Sequence, residues 1–311
     1  MPTLFSPLDY EPQNPSILHL VGRFESQYSK EFEKVRHDWL PELREFLRDE
    51  TGLVINKRKR GTQINRDTNI GFVYKADRNN SFLKLIDEKF PDLDFDEYSA
   101  NQSLQLSMID SKKYFTSHKT PEDEFLILEG YLEDYFEKYN LDKIVGELFK
   151  KNNDSLDIWG TYWPNDGHIE IYYLPLLLFS KLHRVSLEFC IVSTLIHELA
   201  HAYHHMGKDR EDKIWESMWE AEKNITEGLA EYYSWRFVED NKSAYPLMKV
   251  CYDEMFKCLG GPYIIFKEWL EKKYSRQTIN LALQATRCKG VNKYSDFLKQ
   301  LEDAKRLITR M

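Results

Sequence analysis

Residues 191–207, IVSTLIHELAHAYHHMG, set four histidines and a glutamate inside an otherwise apolar run. A run of that kind belongs in a core, and a polar group taken into a core costs several kcal/mol unless something pairs with it. The rest of the chain must therefore supply partners for these side chains. Either the stretch is a core helix with hydrogen-bonded histidines, or it is one wall of a metal site.

Within the run, His197-Glu198-Leu199-Ala200-His201 reads HExxH. On an α-helix, residues four apart lie about 40° apart around the axis and about 6 Å apart along it. Both imidazoles then project from one face and can grip one ion at about 2.0–2.1 Å. Glu198 lies about 100° round from His197, poorly placed as a third ligand but able to reach a water at the ion. A catalytic zinc takes three protein ligands, so one is still missing. His204 and His205 lie further down the helix and read as ordinary surface or hydrogen-bonded histidines. The missing ligand is sought on a second helix, in IWESMWEAEKNITEGLAEYYSW, where Glu220, Glu222 and Glu227 all compete.

Composition narrows the setting. The chain has 311 residues, 42% of them hydrophobic and 14% aromatic, which suffices for a sizeable core and argues against global disorder. A net charge of −8 speaks against a general nucleic-acid binder or a membrane-surface protein. The basic run Lys57-Arg58-Lys59-Arg60 reads as a solvated loop, which leaves nucleic acid an unlikely partner. The N-terminus lacks a basic start followed by an apolar run, and no apolar run approaches about 20 residues. Cys190, Cys251, Cys258 and Cys288 form no close pair in sequence and read as free buried thiols. The expectation is a soluble, cytoplasmic protein.

Along the chain, residues 16–48 show helical apolar spacing, with Leu18, Val21, Phe24, Trp39, Leu43 and Phe46 as core positions. GTQINRDTNIGFVY reads as loop and short strand, residues 82–120 are weakly patterned, and 121–150 are strongly periodic and helical. PNDG between aromatic and β-branched runs predicts a hairpin at 157–174. Ser186 can cap the HExxH helix and Gly207 can close it. The tail from 246 is helical, interrupted at LGGPY and CKG.

HELAH followed by a helix carrying TEGLAEYY resembles the gluzincin metallopeptidases, of the aminopeptidase- and thermolysin-like branch, across residues 160–235. The resemblance implies one zinc ion per chain held by His197, His201 and Glu227, with Glu231 as the acid behind a ligand histidine. It implies that Glu198 is the general base of peptide hydrolysis, acting on a water that zinc acidifies, with a peptide or protein as substrate. HIEIYYL, residues 168–174, is similar in position to the family's edge strand, which pairs with extended substrate. Tyr263, in GGPY, is similar to a downstream tyrosine that donates to the oxyanion, although a core tyrosine fits as well. Two departures stand out. Glu227 follows His201 after 25 residues, a longer gap than is usual, whereas Glu220 has the usual spacing without the motif. The exopeptidase segment GxMEN is absent, so aminopeptidase activity is not implied.

The fold expected is α+β and mostly helical: a zincin-like catalytic domain over 121–311, with a small sheet or hairpin on the HExxH helix, after a mainly helical region over 1–120. The rival reading is a zincin-like scaffold with a structural metal that serves in interaction. Glu198 counts against it, because a purely structural site has no use for a base.

Overall fold

The computed structural model describes residues 15–55, 74–77, 159–164 and 168–310. The chain divides into two compact units, Met1–Tyr28 with Arg78–Asn152 and Ser29–Asp77 with Asn153–Met311. Of the first unit only Pro15–Tyr28 is described, and it is helical. The side chains of Leu18, Val21 and Phe24, the basic run at 57–60, the stretch 82–120, the periodic stretch 121–150 and the boundary expected at 120/121 all lie outside the described residues. The second unit carries everything below.

Helix α1 (Pro15–Thr51) buries Phe32, Val35, Trp39, Leu43 and Leu47, a stripe at three- and four-residue spacing, as expected of an amphipathic helix. Phe46 is only half-buried. Trp39 joins α1 to the HExxH helix, its indole N–H donating to Glu188 Oε1 at 2.8 Å.

A three-stranded sheet follows, with β1 (Tyr74–Asp77), β2 (Gly160–Trp163) and β3 (His168–Tyr172) in the order β1-β3-β2. β2 and β3 form the expected antiparallel hairpin, and β1 pairs parallel to β3. This corrects one expectation. HIEIY is the central strand, hydrogen-bonded on both sides, so it cannot receive a substrate, and β2 is the edge strand among the described residues. Ile169 and Ile171 of β3 are buried, consistent with period-two alternation.

Helix α2 (Tyr173–Leu182) leads into α3 (Leu187–Met206), the HExxH helix. Ser186 caps α3, its hydroxyl accepting from Phe189 N at 3.5 Å. Nearly every residue of α3 from Cys190 to His205 is buried, because the sheet, α2, α4 (Lys223–Asn241) and α5 (Pro246–Phe256) pack around it. Its apolar residues on all sides thereby find partners.

The tail adds a 3-10 turn (Gly261–Ile264), α6 (Phe266–Glu271), α7 (Arg276–Lys289) and α8 (Tyr294–Arg310). Gly290, with φ of 61°, ends α7 at the expected CKG break. Arg287 reaches from α7 to the end of α3, donating to the carbonyls of His204, Gly207 and Lys213. A buried cation there answers the partial negative charge of the helix C-terminus. Among the described residues no helix is long and apolar enough to cross a membrane. The architecture is mostly helical with a small sheet against the HExxH helix.

Candidate metal centre and cleft

His197 and His201 leave α3 one turn apart, and their Nε2 atoms lie 3.1 Å from each other. Glu227, in the first turns of α4, brings Oε2 to 3.3 Å from His197 Nε2 and 3.1 Å from His201 Nε2. A tetrahedral ion has edges about 1.63 times its bond length, so zinc bonds of about 2.0–2.1 Å place donor atoms about 3.3–3.4 Å apart. The triangle of ligand atoms is close to one face of such a tetrahedron.

The protonation of this cluster points the same way. Glu231, one turn after Glu227, accepts from His197 Nδ1–H at 2.9 Å. When His197 is neutral, that bond uses its one proton and leaves the Nε2 lone pair directed at His201 Nε2 and Glu227 Oε2. Burial pulls His197 down, but its bonds to Glu227 and Glu231 and the nearby charge of Glu198 outweigh this and hold it well above the ordinary histidine range. Burial pushes Glu227 up, while His201 and His197 hold its carboxyl well below the carboxylate range. Converging lone pairs that draw in a proton are also those a cation would occupy, so two imidazoles and a carboxylate suit zinc.

The long gap between the motifs has a structural account. Residues 207–222 form a loop and a 3-10 turn (Glu216–Glu220) before α4 begins at Lys223. Glu220 and Glu222 are exposed and stand outside the group of converging donors. Glu222 instead accepts from Tyr294 N at 3.0 Å. The extra residues place Trp219, which is 48% exposed, at the cleft.

Around the three donors lies a cleft walled by Trp159, Tyr162, Trp219, Phe256, Leu259 and Tyr263. Glu198 lines it and is 7% exposed. β2 runs so near α3 that a Cβ on Gly160 would meet Thr194 Cγ2 at 2.8 Å and Glu198 Cγ at 3.2 Å. Only glycine lets the strand pass so close beside the acid. Tyr263 reaches the cleft from the 3-10 turn, its ring centre 5.8 Å from that of His197.

His204 and His205 are both buried; His205 fits the hydrogen-bonded alternative of the expectation, and His204 fits neither alternative. His205 Nδ1 pairs with Tyr162 Oη at 3.0 Å, and burial with Arg287 nearby lowers it to about 4. His204 has neither ring nitrogen bonded among the described residues, and burial holds it neutral. The cysteines are free, as expected, but only Cys190 and Cys251 are buried; Cys258 is half-buried and Cys288 exposed. One contributor carries no mark in the sequence. Tyr252, on α5, donates to the second oxygen of Glu231 at 2.6 Å. Its burial, with the charge of Glu231, keeps the phenol protonated well beyond the ordinary tyrosine range. Nothing in KVCYDEMF marks it, since the partner lies 21 residues away on another helix. No protein-family model, no curated protein and no solved structure matches the chain.

Proposed function

We propose that this protein is a zinc-dependent metallopeptidase with a zincin-like catalytic domain of gluzincin type. The observation that carries the reading is the convergence of His197 Nε2, His201 Nε2 and Glu227 Oε2 beside Glu198 in an open cleft. Zinc bound there supplies Lewis acidity, making water acidic near neutral pH and polarising a carbonyl oxygen. His197 and His201 hold the ion as neutral ligands, and Glu231 keeps the His197 ring in its tautomer. Glu198 takes the proton of the attacking water and hands it to the leaving amine.

Substrate is held by the edge of β2. Gly160–Trp163 offers an extended peptide the backbone groups on the side away from β3, the pairing mode of strand addition. The aromatic and aliphatic walls suit bulky apolar side chains. Tyr263 donates to the oxygen that gains charge as the carbonyl is attacked.

The test is cleavage of a peptide library by the purified protein before and after treatment with a chelator. Cleavage that disappears with chelation and returns with zinc is expected. One zinc per chain without any cleavage would leave the site structural and sink the peptidase reading.

A further inference from the structure

We infer that Tyr252 is a positioning residue of the metal centre, acting through Glu231 on His197; the inference rests on the proposed zinc site. The chain of contacts is short and buried. Tyr252 Oη donates to Glu231 Oε1 at 2.6 Å, and His197 Nδ1–H donates to Glu231 Oε2 at 2.9 Å. Glu231 and Tyr252 are each about 4% exposed, so water does not easily replace either bond.

A carboxylate behind a ligand histidine fails if it rotates, because its oxygen then leaves the line of the N–H. The phenol resists this. It offers one hydrogen to Oε1, which fixes the plane of the carboxylate. Oε2 is then held in line with His197 Nδ1–H. The His197 proton stays on Nδ1, and Nε2 keeps its lone pair for the ion.

The elements hold this geometry. α5 packs against both α3, which carries His197, and α4, which carries Glu231. Cys251, the residue before Tyr252, meets Cys190 of α3 with sulfurs 3.1 Å apart, setting the register of α5 on α3. The Tyr252 ring also stacks on Phe256, at 5.8 Å between centres. Tyr252→Phe therefore removes one oxygen atom and keeps the packing of the ring.

The experiment measures the zinc dissociation constant by competition with a chromophoric chelator, and the visible spectrum of the cobalt-substituted protein. It uses wild type, Tyr252→Phe, Glu231→Ala and the double variant, with thermal melting as the check on folding. Zinc affinity should fall about 10-fold in Tyr252→Phe, the low end for loss of an outer partner, and the cobalt spectrum should change. Because Tyr252 acts through Glu231, Tyr252→Phe should have no further effect on affinity in the Glu231→Ala background. Unchanged affinity and spectrum in Tyr252→Phe, or an equal loss in both backgrounds, overturns the inference while the zinc site stands. A wild-type protein that binds no zinc overturns the zinc site and this inference together.

Discussion

Glu227 and Glu231 stand one turn apart on α4 and face opposite nitrogens of the same histidine. Glu227 meets Nε2, where an ion would sit, and Glu231 meets Nδ1, behind the ring. Substitution should separate the two roles. Glu227→Ala should lose zinc outright by elemental analysis, because it removes one of three ligands. Glu231→Ala should retain the site but weaken affinity by about 10–100-fold. Glu220→Ala should keep full stoichiometry, since Glu220 is exposed on the turn before α4. Zinc lost from Glu220→Ala and kept in Glu227→Ala would reverse the assignment. At this scale HExxH is legible in the sequence, because helix geometry alone places two imidazoles on one face. Glu227 is legible through its motif and ambiguous by spacing, because spacing says nothing of the break at residues 221–222. Tyr252 is illegible, since only the packing of α5 on α4 brings it to Glu231.

At the scale of elements, the EGLA motif has a packing reason. A Cβ on Gly228 would meet Ile265 Cγ2 at 2.5 Å and the Trp269 ring at 3.0 Å. The bare backbone lets the segment carrying Tyr263 and α6 lie directly on α4. Gly228→Ala should therefore destabilise the protein by about 1–3 kcal/mol from overpacking, less about 1 kcal/mol of gained helix propensity. It should also lower turnover by displacing Tyr263. Adding Ile265→Ala should recover part of the stability. Urea unfolding of the single and double variants checks both, and a single variant as stable as wild type would contradict the packing account. The hairpin at 157–174 is readable from PNDG and its flanking residues, but which strand is the edge is not. β1 lies more than 80 residues upstream of β2, and its pairing with β3 makes Gly160–Trp163 the edge of the hairpin among the described residues. Local alternation cannot show a parallel neighbour so distant in the chain.

Across the whole molecule, α3 carries its cluster of ionisable groups because the other elements close around it. One consequence is dependence on pH. His205 is lowered to about 4 by burial, whereas an unfolded histidine titrates near 6.5. Between these values the unfolded chain binds a proton that the folded chain refuses, so stability falls as pH drops from about 6.5 towards 4. The contribution is fully present above about 6.5. His205→Gln should flatten this loss by about one proton, read from urea midpoints of both proteins across that window. Equal slopes would show that His205 is not held neutral. The burial of His204 and His205 is a property of the closed assembly, with Arg287 of α7 drawn to the end of α3. Their burial is not legible locally, because the side chains that meet this helix end come from far along the chain, Tyr162 of β2 on His205 and Arg287 of α7 on the His204 carbonyl.

The central claim is that Glu198 drives hydrolysis at an ion it does not hold. Turnover per bound zinc, measured for wild type and Glu198→Gln on one peptide substrate, tests it most directly. The account predicts equal zinc content in the two proteins and turnover lower by at least about 10²–10⁴-fold in the variant. Equal turnover per zinc, or loss of zinc from Glu198→Gln, would contradict it.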